Sequence, residues 1–161
     1  VSDLLDHVDD VTENSTRLWI DKLTIVCSPY FKVGAKALKD PQQLTGARLI
    51  HILGRSAYWE KVSAHFGLED LNQKDGARTN ASNLALELAA KSQGCLALPK
   101  LLAKPYLERN LLTEPMQFDL DSPWAYHIKL RDKSVKPAVR LFQDWLLSSV
   151  KSAHTQDANL D

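Results

Sequence analysis

The chain has 161 residues, 44% of them hydrophobic, and its 20 Lys and Arg residues balance 20 Asp and Glu residues. A chain of this length buries roughly 70% of the surface that it would expose when unfolded, which favours one domain with a single core. The zero net charge, without any local basic run, disfavours a nucleic-acid-binding surface within this chain. Its apolar runs are far shorter than the roughly 18 residues of a membrane-spanning helix.

The acidic N-terminal sequence VSDLLDHVDD has no basic leader and no long apolar region, so we expect a cytoplasmic protein without a secretory signal. Cys27 and Cys95 lie inside apolar runs and outside any CxxC or CxxH pattern, which predicts two buried free thiols. The five histidines show no metal-ligand spacing, and the sequence has no cofactor motif. We therefore expect neither a metal nor a cofactor.

The first half of the chain predicts two strands and two helices. Residues 1–20 are polar and acidic, and their pattern predicts no element. The β-branched run 23–27 predicts a buried strand, and residues 30–44 predict a short helix with a turn at Asp40-Pro41. Residues 49–53 predict a second buried strand, and residues 56–66 an amphipathic helix that Gly67 ends.

The stretch NASNLALELAAKSQGCLALP, residues 80–99, follows a short strand predicted at 77–80. Its Ala and Leu residues surround most of a helix, so this helix should be covered on nearly every side and should end at Gly94. Residues 95–98 predict a strand that Pro99 ends.

Helical periodicity resumes over residues 98–112, where Pro105 should start a new helix rather than continue the old one. Residues 124–130 alternate like a half-exposed strand. Residues 135–150 predict a last amphipathic helix whose wide apolar stripe needs a partner surface. Short buried strands alternating with helices predict the α/β class, with ligands at the carboxyl ends of the strands.

Four stretches, in this order and spacing, resemble the effector-binding domain of LysR-type transcriptional regulators, in the subgroup related to the activator of the glycine-cleavage operon. They are LTIVCSP (23–29), PQQLTGARLIH (41–51), the stretch 80–99 quoted above, and KPAVRLFQDWLL (136–147). The resemblance implies a fold like that of the type II periplasmic binding proteins, in which two α/β lobes enclose a cleft for a small effector.

By the same resemblance, residues 1–20 are the end of the first lobe and residues 21–130 are most of the second. Residues 131–161 are then a C-terminal helix that returns to the first lobe, followed by a tail. The winged helix-turn-helix and most of the first lobe have no counterpart here, so we expect a partial regulator. Operator DNA would be a partner of the parent protein, and the effector domain would self-associate as a dimer or tetramer.

The candidate effector site begins at the N-terminus of the helix in residues 80–94. Such an end carries about half a positive charge and up to four unpaired amides, so it can bind a carboxylate without a lysine. Asn80, Ser82 and Asn83 are therefore candidate ligand-binding residues for an amino-acid-like or small carboxylate effector. The alternative is that they only cap the helix.

The resemblance adds four candidates from other positions. Pro99 and Lys100 follow the strand after that helix, where an ordinary strand end is the alternative. Tyr126 matches a position where relatives carry an aromatic near the pocket, and Trp124 lies beside it. Packing within the sheet is the alternative for both aromatics.

Three other functions compete with that of an effector domain. The sequence has no GxSxG, HExxH or Gly-rich phosphate loop, so we do not expect an enzyme. A protein interaction module would use the apolar stripes of residues 56–66 and 135–150. A fragment of a solute-binding protein is disfavoured by the missing secretory signal and first lobe.

Overall fold

The structure, a computed structural model, describes residues 5–7, 15–129 and 136–157. The rest of the predicted N-terminal segment, the linker before the last helix and the end of the tail lie outside these ranges. The described residues fall into two compact units, one of residues 21–123 and the other from residues 1–20 and 124–161. None of the helices within these ranges has the length and hydropathy that a membrane span requires.

Strands and helices alternate along most of the chain. The strands are β1 (Leu5–His7), β2 (Ser15–Val26), β3 (Lys32–Val33), β4 (Lys36–Ala37), β5 (Leu49–Ile52), β6 (Gly76–Thr79), β7 (Cys95–Pro99) and β8 (Asp121–Lys129). The α-helices are α1 (Ala57–Phe66), α2 (Ser82–Ala90), α3 (Lys100–Glu108) and α4 (Pro137–Asp157), and two 3-10 helices span Pro41–Gly46 and Leu71–Gln73.

The unit of residues 21–123 is built on a mixed sheet with the strand order β2-β7-β5-β6. β5 runs parallel to β6 and to β7, whereas β2 is antiparallel to β7, with Leu23 opposite Pro99. The carboxyl ends of the three parallel strands therefore lie at one edge of the sheet. We call this edge, which ends at Ile52, Thr79 and Pro99, the carboxyl edge.

The core of this unit consists of the inner strands and the helix faces that cover them. The apolar residues of β2, β5 and β7 without solvent exposure are Ile25, Val26, Leu49, Ile50, Cys95, Leu96 and Leu98. α1 contributes Val62, and α2 contributes Ala85 and Ala89, which are also fully buried. Apart from His51, the inner strands β5 and β7 carry only apolar side chains, which matches strands covered on both faces, so the α/β prediction is confirmed.

Both cysteines are buried and free, as predicted. Burial raises the pKa of the Cys27 thiol to about 11, and burial also raises the pKa of the Cys95 thiol. Both groups therefore remain protonated and unreactive at neutral pH.

The unit of residues 1–20 and 124–161 has the strand order β1-β8-β2. It contains only the first part of β2 and the last part of β8, since each of these strands has residues in both units. β1 is antiparallel to β8, with Leu5 opposite Tyr126. Burial alternates along β8 as predicted, although the strand already begins at Asp121. α4 leaves large apolar side chains exposed, among them Leu141 and Trp145, which are 71% and 60% exposed.

The predicted short helix within residues 30–39 is wrong. β3 and β4 form a hairpin there, and Gly34 at its turn has a φ of 61°, a left-handed conformation that glycine adopts readily. The short helix comes after Asp40 instead. The Asp40 side chain accepts a hydrogen bond from the Gln42 N–H at 2.8 Å and caps this 3-10 helix.

The predicted end of α2 and its predicted burial are also wrong. α2 stops at Ala90, and Ser92 takes the left-handed turn with a φ of 58°. Gly94 is required for a different reason, because a Cβ there would lie 2.7 Å from the carbonyl oxygen of Arg48. Leu84 is 49% exposed, so α2 is covered on one face rather than on nearly every side.

Pro105 does not divide the third helix as predicted, since α3 runs through it from Lys100 to Glu108. The amide that proline lacks would have paired with the carbonyl of Leu101. Leu101 is an exposed residue of the helix, where water can supply the missing hydrogen bond. Beyond the proline, the Tyr106 hydroxyl donates to Glu87 Oε1 of α2 at 2.6 Å.

Candidate functional site

The first turn of α2 follows β6 at the carboxyl edge and has no side-chain cap. Its N-cap is Ala81, in an extended conformation. Thr79 Oγ1 accepts the Ala81 N–H at 3.2 Å. The amides of Ser82, Asn83 and Leu84 have no acceptor among the described residues. Three hydrogen-bond donors and the positive end of the helix dipole are therefore available at this point.

Asn80, Ser82 and Asn83 all lie at this N-terminus, as predicted. None of their side chains caps the helix, so the alternative interpretation of these residues as caps is wrong. Asn80 and Asn83 are exposed and Ser82 is half-buried, which leaves their polar groups accessible to solvent.

The first turn of α3, which follows β7 at the same edge, is occupied by the protein's own carboxylate. Asp21 Oδ2 accepts the Leu101 N–H at 2.9 Å. Lys100 Nζ lies 3.4 Å from Glu114 Oε1, and this oxygen also accepts a hydrogen bond from Thr24 Oγ1 at 2.7 Å. The two N-termini thus differ, since only that of α3 is already satisfied by an anion.

A second lysine near the carboxyl edge is also paired. Lys22 Nζ lies 2.6 Å from an oxygen of Asp119 and 2.7 Å from one of Asp121. Hydrogen bonds to these carboxylates raise the pKa of Lys22 to about 12. Because Lys22 and Lys100 both hold carboxylates of the protein, the amides of α2 are better placed than either lysine to receive an anionic ligand.

The other predicted site residues have ordinary structural contacts. Pro99 is fully buried in the sheet. Trp124 and Tyr126 are half-buried on the part of β8 that belongs to the other unit. The Tyr126 ring stacks on Trp19 with ring centroids 4.3 Å apart and planes inclined by 20°. Packing within the sheet therefore accounts for one face of Tyr126.

Several residues of the carboxyl edge were not predicted from the sequence. Asp21 and Glu114 carry no local signal, because their partners are distant in the chain; Asp21 lies 80 positions before Leu101. A pocket of about 110 Å³ at the end of β5 was also not predicted, and its lining includes His51, Arg55 and Arg78.

Within the described ranges, no three His, Cys, Asp or Glu side chains are grouped so that they could hold a metal ion.

A comparison with protein-family models identifies the family of this chain. The model of the LysR substrate binding domain family matches residues 5–151. The chain belongs to this family.

Among curated proteins, the glycine cleavage system transcriptional activator of Escherichia coli strain K12 is 28% identical over 142 residues, which are 88% of this chain and 46% of that protein. This chain therefore spans about half the length of the curated relatives that it matches. The resemblance predicted from the four sequence stretches is confirmed.

Solved structures agree on the fold. The effector domain of the transcriptional regulator AmpR of Pseudomonas aeruginosa superposes with a TM-score of 0.75 and 18% identity, covering 98% of this chain and 75% of that one. The effector binding domain of QuiR, solved in complex with shikimate, gives 0.66 and 15%, covering 92% and 71%. The predicted fold resembling the type II periplasmic binding proteins is thereby confirmed.

Proposed function

We propose that this chain is the effector-binding part of a bacterial transcriptional regulator and that it binds a small carboxylate, such as an amino acid, at the N-terminus of α2. The observation that carries the proposal is the contrast between two helices of one sheet edge. Asp21 occupies the N-terminus of α3, whereas three amides of α2 have no acceptor among the described residues. A carboxylate of a ligand would take at α2 the role that Asp21 takes at α3.

The chemistry of the relatives supports this ligand class. Shikimate, the molecule bound to QuiR, is a small carboxylic acid. The E. coli relative is named for the cleavage of an amino acid, glycine. In this chain, the Ser82 hydroxyl and the amides of Asn80 and Asn83 add groups that would bind the polar substituents of such a ligand.

The lobe assignment and the ligand-binding role of the two aromatic residues are separate proposals. We assign residues 21–130 to the second lobe, and residues 1–20 and 131–161 to the first. Tyr126 and Trp124 offer flat surfaces with one polar tip each, which suits a small amphipathic ligand. Pro99 would contribute shape rather than a hydrogen bond, and Lys100 would have to leave Glu114 before contacting a ligand.

The proposal is tested with Asn83→Asp, which places a negative charge in the first turn of α2. The charge favours the helix itself but repels a ligand carboxylate. Thermal melts of the 161-residue chain are recorded with acetate, glycine and shikimate at constant ionic strength. We expect saturable stabilisation of the wild type by at least one of them and its loss in Asn83→Asp.

A matched control is Gln42→Glu, which makes the same charge change at an exposed position of the 3-10 helix Pro41–Gly46. Gln42→Glu should respond to the carboxylates as the wild type does. Equal responses of Asn83→Asp and the wild type would contradict a site at α2.

For the parent protein we propose a cytoplasmic regulator without enzymatic activity, which binds operator DNA through a helix-turn-helix outside this chain and assembles as a dimer or tetramer. The exposed apolar residues of α4 support an interaction role as a second function. Replacing Trp145 by Gln should weaken self-association in sedimentation experiments if α4 forms the contact.

A further inference from the structure

The two cysteines of the chain lie opposite each other at the end of the ladder between β2 and β7. The antiparallel register places Val26 opposite Leu96. One step further along the two strands, Cys27 lies opposite Cys95. Directly opposite side chains lie on the same face of a sheet, so the two thiols are neighbours on one face.

The backbone hydrogen bonds show which kind of cross-strand pair the cysteines form. The Cys27 N–H donates to the Thr113 carbonyl at 3.1 Å, and the Cys27 carbonyl accepts from the Thr113 N–H at 2.8 Å. Both groups therefore point away from β7. The Cys95 N–H donates to the carbonyl of Arg48, next to β5, at 2.9 Å. The cysteines are thus a non-hydrogen-bonded pair, whose Cα atoms are typically about 4.5 Å apart.

This spacing lies within the reach of a disulfide, whose Cα atoms are usually about 4.4–6.8 Å apart. The Cβ atoms of such a pair have to approach by up to about 1 Å, which leaves some strain in the bond. Strained disulfides are easily reduced again. The electrostatics also indicate that the thiols are close, because burial raises the pKa of Cys95 and the neighbouring Cys27 raises it further.

The apolar surroundings favour a disulfide over a bound metal ion. Cys27 is 2% exposed and Cys95 is fully buried, and their neighbours on the same face, Ile25 and Ala97, are buried as well. A soft metal ion needs both groups as charged thiolates, whereas burial raises the pKa of each thiol. A disulfide carries no charge and no hydrogen-bond donor, so it fits among apolar side chains.

We propose that Cys27 and Cys95 form a reversible disulfide by exchange with a low-molecular-weight disulfide such as oxidised glutathione. The Cys27 thiolate attacks one glutathione sulfur and releases a first glutathione thiolate. The Cys95 thiolate then attacks the Cys27 sulfur and releases the second. The released thiolates take up the two protons that the cysteines lose, so one glutathione disulfide is reduced while two protein thiols are oxidised to one disulfide.

The bond would act on a strand that the two units share. β2 begins in the unit of residues 1–20 and 124–161 and ends beside β7. A cross-link at its end closes a long loop and restricts the unfolded chain, so the oxidised form is the more stable one. Exchange requires the end of β2 to open, because both thiols are buried in the folded chain. A reducing compartment keeps the pair as the two free thiols of the structure.

The test refolds the 161-residue chain from urea in an oxidising glutathione buffer, so that both thiols are accessible before they are buried. The remaining thiols are then alkylated, and the mass of the chain counts them. We expect an intrachain disulfide without alkylated cysteine, which dithiothreitol returns to two free thiols. Its melting temperature should exceed that of the reduced chain by about 5 °C or more. Two free thiols, glutathione adducts, or a disulfide that lowers the melting temperature would overturn the proposal.

The matched control is the double variant Cys95→Ala/Ala97→Cys, which moves one thiol two positions along the same face of β7. That thiol then lies opposite Ile25 and diagonal to Cys27, at a distance of about 7–8 Å, which a disulfide does not span without moving the strands. Both positions keep small side chains, so the variant should fold. Its equilibrium constant for intrachain disulfide formation should be lower than that of the wild type by about tenfold or more. Equal constants in the two chains would contradict a pair held by the strand register.

Discussion

Asp21 and Ser82 stand at two helix N-termini of the same sheet edge, and removing each side chain should have opposite consequences. Asp21 accepts the Leu101 N–H at 2.9 Å and places its charge at the positive end of α3. Asp21→Ala should therefore lower the free energy of unfolding by about 1 kcal/mol, the usual cost of removing a helix cap. For a chain of this size, that corresponds to a melting temperature lower by about 2–4 °C.

Ser82→Ala should leave the melting temperature almost unchanged, because the Ser82 side chain makes no capping hydrogen bond. Urea titrations of both variants give the free energies directly, and Asp21→Asn separates the two contributions, since asparagine keeps an acceptor without the charge. Asp119→Asn is the control, because this exposed carboxylate pairs with Lys22 and caps no helix. Equal stability losses in Ser82→Ala and Asp21→Ala would refute the distinction between an open and an occupied helix end.

Two further predictions concern the sheet. A Cβ on Gly76 would lie 1.8 Å from the carbonyl oxygen of Leu49, so Gly76→Ala should prevent normal folding. Gly46→Ala is the control and should fold, because a Cβ there would meet nothing closer than 3.9 Å. Circular dichroism spectra and melting temperatures of the two variants test this prediction. The pKa of His51 is lowered in the folded state, so the unfolded chain takes up a proton first as the pH falls through the ordinary value of 6.5. The free energy of unfolding should therefore decrease below that pH. The midpoint of urea unfolding, measured against pH, should fall less in His51→Gln than in the wild type, and an equal pH dependence in both would contradict the assignment to His51.

The strands and helices of the larger unit could be predicted because their signals are local. β7 is a continuous apolar run, and β5 is apolar except for His51. α1 has apolar residues at helical spacing with a glycine at its end. The hairpin before Asp40 could not be predicted in this way, because its scattered lysines fit a helix and a strand equally well. There, the left-handed turn at Gly34 determined the structure.

The candidate site was predicted only in part, and for a physical reason. The polar cluster before α2 marks the helix N-terminus, but whether Ser82 caps that end depends on the backbone conformation of Ala81, which the sequence does not reveal. Asp21 and Glu114 reach the edge through contacts between distant parts of the chain. Local patterns therefore located one helix end, and only the fold distinguished it from its neighbour.

The open first turn of α2 is tested most directly by backbone amide NMR of the chain during titration with glycine, acetate and shikimate. At least one of these carboxylates should shift the amide resonances of Ser82, Asn83 and Leu84 in a saturable way, while the Leu101 amide, already bonded to Asp21, should stay in place. Saturable shifts at Leu101 without any at the start of α2, or no shifts at either helix, would contradict the assignment of the effector site.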